Sequence, residues 1–125
     1  FERTSMKLKI LCIDDSKSVH AFLKQCLDSK LESLTSAYNG EEGLKILASN
    51  KNFDIIFLDW EMPIKTGPET FQELKKSGNR IPVIMLTSKN NTEDVAQMLG
   101  MGVAEYIMKP FTQDIIFEKI EMVLG

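Results

Sequence analysis

Residues 53–63 read FDIIFLDWEMP, an apolar run broken only by Asp54 that stops at Asp59 and is followed two positions later by a second acid, Glu61. A strand with so little polar alternation is one covered on both faces, the habit of parallel sheets flanked by helices. Packing gives such a strand no reason to end on a carboxylate. The acid at its end therefore needs partners, and the rest of the chain has to supply them.

Four other short apolar segments recur: LKILCI (8–13), LTSAY (34–38), IPVIML (81–86) and AEYIM (104–108). Helix-length stretches separate them. From Ser16, read as an N-cap, Val19, Phe22, Leu23, Cys26 and Leu27 follow an i, i+3, i+4, i+7, i+8 stripe. GEEGLKILAS (40–49) presents Leu44, Leu47 and Ala48. GPETFQELKKSG (67–78) sets Pro68 in a first turn and Gly78 just past the end. NTEDVAQMLGMG (91–102), capped by Asn91 or Thr92, turns Val95, Met98 and Leu99 inward. The last helix starts at Thr112 and buries Ile115, Ile116, Ile120 and Val123. Five βα units in alternation predict right-handed crossovers and a five-stranded parallel sheet with helices on both faces, a doubly wound α/β domain. A chain of 125 residues supports one such core and not two.

Bulk properties exclude several function classes. Hydrophobic residues at 43% and charged residues at 26% are ordinary for a globular chain and argue against disorder. A net charge of -3 without any block of Lys or Arg argues against direct nucleic-acid binding. No run approaches the roughly 18 apolar residues of a membrane span, and FERTSMKLKI (1–10) lacks the apolar core of a secretory signal. Residues 1–5 read as an expression remnant or a linker, and residues 6–125 as the domain. Cys12 and Cys26 match no zinc or redox spacing and read as buried thiols in a reducing cytoplasm.

In open α/β sheets the ligand sits beyond the carboxyl ends of the strands. Asp14 and Asp15 follow the first strand, Asp59 the third, Thr87 and Ser88 the fourth, and Lys109 and Pro110 the fifth. Singly, each has an ordinary use as a helix cap, a turn or a solvated loop residue. Together they leave three carboxylates converging on one ammonium. Two unit charges about 4 Å apart repel by roughly 4 kcal/mol at an effective dielectric near 20, so the set calls for a cation besides Lys109. An all-oxygen, partly open site suits Mg²⁺ (or Mn²⁺). A carboxylate beside Mg²⁺, an ammonium and a hydroxyl is equipped to attack phosphorus and form an acyl phosphate.

CIDDS (12–16), FLDWEMP (57–63), MLTSK (85–89) and YIMKPF (106–111), in that order and at those spacings, resemble the receiver (CheY-like) domain of two-component response regulators. The likeness is strongest to the stand-alone receivers of chemotaxis and spans residues 6–125. It implies the flavodoxin-like strand order 2-1-3-4-5. It implies that Asp59 is the phosphoacceptor, that Asp15 binds Mg²⁺ directly and Asp14 through water, and that the backbone carbonyl of Glu61 is a further ligand. Thr87 would then bond a phosphoryl oxygen. Lys109 would pair with Asp59 and afterwards with the phosphoryl group, and Tyr106 would turn inward when Thr87 moves. The peptide between Lys109 and Pro110 is cis in this family.

The same resemblance implies a histidine kinase or histidine phosphotransfer protein as phosphodonor. The output would be a downstream protein target or an effector domain, reached through the face of helix 4, strand 5 and helix 5. The chain would be a monomer or would dimerise on phosphorylation, and would turn over no external substrate.

Two positions depart from the chemotaxis pattern. Glu61 stands where that relative carries an amide that orients hydrolytic water, and Lys89 where it carries an acid. The two charges either pair across the mouth of the site and lengthen the life of the acyl phosphate, or stay solvated and independent. His20, the single histidine, lies off the stripe of the first helix and reads as an exposed bystander. Met98, Met101, Met108 and Met122 read mostly as core filling. The alternative enzyme reading, a haloacid-dehalogenase-type phosphohydrolase, wants Asp-x-Asp after the first strand and a cap domain, and finds neither. A receiver that has lost phosphorylation is disfavoured by the intact acids, Thr87 and Lys109.

Overall fold

The computed structural model describes residues 7–88 and 92–125. The order of elements is β1 (Leu8–Ile13), α1 (Lys17–Leu27), a single 3-10 turn (Asp28–Lys30), β2 (Leu31–Ala37), α2 (Gly40–Ser49) and β3 (Ile55–Asp59), followed by α3 (Gly67–Lys76), β4 (Val83–Thr87), α4 (Thr92–Met101), β5 (Glu105–Met108) and α5 (Gln113–Leu124). All strand pairings are parallel, in the order β2-β1-β3-β4-β5. This is the doubly wound α/β sheet expected from the alternation of elements.

Each central strand feeds two cores, which is why its sequence shows no polar alternation. On β1, Ile10 and Cys12 pack with Leu23 and Leu27 of α1 and Ile116 and Ile120 of α5. Leu11 and Ile13 point the other way, to Leu47 of α2, Phe71 and Leu74 of α3, and Met98 of α4. Ile55 and Phe57 against Ile56 and Leu58 divide β3 in the same manner. Successive side chains leave a strand on opposite faces, so a strand between two helical layers must be apolar at every position. Each fully buried Leu, Ile or Phe contributes about 1.5–3 kcal/mol relative to exposure. A single polar residue inside these runs would break one of the two cores.

The chain ends of the elements depart in places from their sequence reading. β2 starts at Leu31, earlier than LTSAY suggests, because it is an edge strand whose Glu32 and Ser33 face solvent. Ser16 sits at the start of α1 without capping it through its side chain; its hydroxyl is 2.9 Å from that of Ser18. Asn39 instead caps α2, its Oδ1 accepting from the Glu42 N–H at 2.8 Å. Thr66 and Glu69 form a reciprocal capping box on α3, and Thr112 caps α5. Leu99, Phe22 and Ile115 are exposed rather than inward. Of α4, only Met98 among its residues reaches the core fully. Asn91, the alternative cap of α4, lies outside the described residues.

Cys12 and Cys26 are both buried and unpaired. Among the described residues no helix is long and apolar enough to cross a membrane.

Candidate functional site

The carboxyl edge of the sheet collects the polar residues singled out in the sequence. Asp59 is the last residue of β3 and Thr87 the last of β4, so both are held by the sheet ladder itself. The Trp60 N–H donates to the Leu86 carbonyl at 2.8 Å and extends that ladder past Asp59. The Asp14 N–H likewise donates to the Ala37 carbonyl at 3.0 Å, carrying β1 one residue beyond its apolar run. The Lys109 N–H donates to the Thr87 carbonyl at 2.8 Å, and the Lys109–Pro110 peptide is cis.

These anchors bring the charged groups together. Asp14 is fully buried and Asp59 is 5% exposed, while Asp15 stands at the surface. Lys109 Nζ lies 2.9 Å from Asp14 Oδ2 and 3.1 Å from Asp59 Oδ1. Asp14 Oδ1 accepts from the Ser16 N–H at 2.9 Å, whereas its Oδ2 faces the ammonium without a directed hydrogen bond. Asp14, Asp15 and Asp59 each offer a carboxylate oxygen, all within 4.8 Å of one another.

The electrostatics show the imbalance. Burial, and next the charge of Asp14, push Asp59 up to about 7 against the pull of Lys109. For Lys109, burial works to lower the ammonium, but the close contact with Asp14 and the charges of both acids outweigh it and raise it above the usual value of 10.5. Burial and Asp14 also hold the Cys12 thiol well up, so it stays protonated behind the site. One ammonium shared by Asp14 and Asp59, with Asp15 beside them, leaves negative charge over. The donor set is all oxygen. These residues fit a hard divalent cation.

The other predicted residues lie around this centre. Thr87 is buried at the strand end. Glu61 is exposed two residues past Asp59. Tyr106, on β5, is half-buried, with Lys119 Nζ 4.9 Å from its ring centroid and 3.1 Å from Glu105 Oε1. Lys89 lies outside the described residues, and with it the choice between pairing with Glu61 and independent solvation. Beside Lys109, an apolar hollow of about 560 Å³ opens between Val19 and Phe22 of α1 and Pro110 and Phe111 after β5.

His20 is not an exposed bystander: it is 6% exposed, its Nε2 lies 2.7 Å from the Asp14 carbonyl oxygen, and its ring rests against Tyr38 at 4.7 Å. It escapes the stripe of α1 because it packs against the end of the sheet rather than its face.

Comparison with known proteins agrees with this fold. The family model of the response regulator receiver domain matches residues 10–121. The chain is 34% identical over 122 residues to chemotaxis protein CheY1 of Helicobacter pylori, covering 94% of this chain and 98% of that one. It is 33% identical to the chemotaxis protein CheY homolog of Campylobacter jejuni, covering 94% and 93%. Among solved structures, the Francisella response regulator 1452 receiver domain superposes with a TM-score of 0.84 at 31% identity, covering 94% and 97%. Chemotaxis response regulator CheY4 of Vibrio cholerae gives 0.86 at 27% identity, covering 95% and 100%.

Proposed function

The chain belongs to the response regulator receiver domain family, and from that premise we propose that residues 6–125 form a phosphorylation-activated switch that accepts a phosphoryl group on Asp59. The observation that carries the reading is the cluster of Asp14, Asp15 and Asp59, whose carboxylate oxygens lie within 4.8 Å of one another, with the Lys109 ammonium against Asp14 and Asp59.

An Asp59 carboxylate oxygen attacks the phosphorus of a phosphohistidine on a histidine kinase or phosphotransfer protein. A P–O bond forms as the P–N bond breaks, and the imidazole leaves with the electron pair and takes up a proton. Asp59 becomes an acyl phosphate. Mg²⁺ (or Mn²⁺) held by Asp14, Asp15, Asp59 and the Glu61 carbonyl would supply positive charge for the phosphoryl oxygens. Lys109 would follow the charge from carboxylate to phosphoryl group, and Thr87, at the neighbouring strand end, would donate its hydroxyl to it. The hollow beside Lys109 gives the donor an apolar seat next to the reacting acid.

Movement of Thr87 toward the phosphoryl group would free space for Tyr106, and the face of α4, β5 and α5 would change its affinity for a target protein or an effector domain. Glu61, exposed two residues past Asp59, would slow attack by water on the phosphoryl group.

Incubation with Mg²⁺ and acetyl phosphate, followed by intact mass, tests the reading. One added phosphoryl group, lost in Asp59→Asn, is the expected result. No adduct in the native chain would overturn it. An unchanged dephosphorylation rate in Glu61→Asn would remove the lifetime role alone.

A further inference from the structure

We propose that His20 is a positioning residue for the cation site, acting through the backbone of Asp14. The proposal rests on the reading of Asp14 and Asp15 as cation ligands and adds a residue that this reading does not need.

A carbonyl oxygen only accepts, so the 2.7 Å contact requires His20 Nε2 to carry the proton and donate it to Asp14. That carbonyl belongs to the planar peptide joining Asp14 to Asp15. Holding its oxygen fixes the plane of the whole unit, and with it the direction in which Asp15 leaves the backbone. Asp14 is thereby gripped at three points. Its N–H is held by the Ala37 carbonyl at 3.0 Å, its carboxylate by the Ser16 N–H at 2.9 Å, and its carbonyl by His20. Asp15 has no such burial and depends on this frame.

The ring itself is fixed from outside the loop. Tyr38 lies against it, the rings tilted at 47° with centroids 4.7 Å apart, and the Tyr38 N–H is held by Glu42 Oε1 at 3.0 Å. His20 thus ties the loop after β1 to the loop after β2. Its Nδ1 is buried with no hydrogen-bond partner among the described residues, which works against stability. A residue serving packing alone would do better as Leu. The donor on Nε2 is what Leu lacks.

The test compares Mg²⁺ titrations followed by Trp60 fluorescence with melting temperatures in EDTA, using magnesium chloride as the probe. His20→Leu keeps the volume and loses the donor. His20→Gln places an amide N–H where Nε2 stands, and His20→Asn falls one methylene short. The expectation, from the usual cost of removing a hydrogen-bond partner behind a metal ligand, is that Leu and Asn weaken Mg²⁺ binding about tenfold while Gln stays within about twofold of the native chain. His20→Leu should melt in EDTA no lower than the native protein.

Equal affinity in all variants would overturn the proposal, as would a loss shared by Gln that follows the melting temperature. If His20→Leu does not fold, the Asn and Gln pair decides the question. A native chain that gives no response to Mg²⁺ overturns the function proposed above together with this inference. A native response with unaltered variants overturns only the role of His20.

Discussion

Lys109 Nζ lies 3.1 Å from Asp59 Oδ1 across fifty positions of sequence, and the same ammonium is 2.9 Å from Asp14 Oδ2. Removing one partner of a buried pair usually leaves a stranded charge. Here it does not, because Lys109 keeps Asp14. Asp59→Asn should therefore raise the melting temperature in EDTA at pH 8 by a few degrees, where roughly 1 kcal/mol corresponds to a shift of about 3–5 °C in a chain of this size. The same change should abolish the phosphoryl adduct. Calorimetry or circular dichroism in EDTA checks the first effect, and a lower melting temperature for Asp59→Asn would contradict the charge account.

The pH profile of the metal-free protein carries the same information with a defined sign. Asp59 is raised from 3.8 to about 7, by burial first and Asp14 second. Between those values the folded chain holds a proton that the unfolded chain has lost. The resulting stabilisation is complete below the unfolded value and is lost as pH rises through the folded one. Urea midpoints in EDTA should fall from pH 5 to pH 8. Lys109, raised above 10.5, keeps its charge throughout this window. Saturating Mg²⁺ or Asp59→Asn should flatten the slope, and a flat profile for the native chain in EDTA would refute the assignment.

The sheet was legible because a strand covered on both faces shows it at every residue, as Ile55–Leu58 do. The edge strand was less so, since Glu32 and Ser33 face solvent and dilute its pattern. Asp14, Asp59, Thr87 and Lys109 could be found because each stands at or just after the end of an apolar run. His20 could not, since its partner is a backbone carbonyl, which has no signature in sequence. The exposure of Leu99 has a similar origin: the stripe of α4 is apolar, but only Met98 of that helix is buried. Spacing tells which side a residue takes and not how much of the neighbouring layer is there to meet it.

Ile64 is held in the left-handed region at φ 71, at the centre of a three-residue turn in which the Lys65 N–H donates to the Pro63 carbonyl at 2.7 Å. A β-branched residue there is strained, and at 73% exposure it gains little burial in return. Ile64→Asn should stabilise the protein by about 1 kcal/mol. Ile64→Val, equally branched, should not. The measurement is urea unfolding, with a higher midpoint and an unchanged slope expected for Asn. An Asn variant no more stable than the native chain would mean that Ile64 makes contacts that offset its backbone.

Gly67 opens α3 and passes directly under the end of β3, its N–H donating to the Trp60 carbonyl at 2.8 Å. A Cβ at this position would collide with the Asp59 carbonyl oxygen and lie 2.8 Å from Trp60 Cα. Both obstacles are backbone, so no side chain can swing aside. Gly67→Ala must push α3 outward or move the peptide that carries Asp59, at a cost of about 1–3 kcal/mol. Because the displaced atoms belong to Asp59, Mg²⁺ affinity should fall along with stability. Gly100→Ala is the matched control: it lies within α4 with nothing inside 4 Å of the new methyl, and should stabilise by up to about 1 kcal/mol through helix propensity alone. Thermal melts and Mg²⁺ titrations on both variants check the contrast. If Gly67→Ala loses stability yet binds Mg²⁺ as the native chain does, then α3 yields and the seat of Asp59 is rigid.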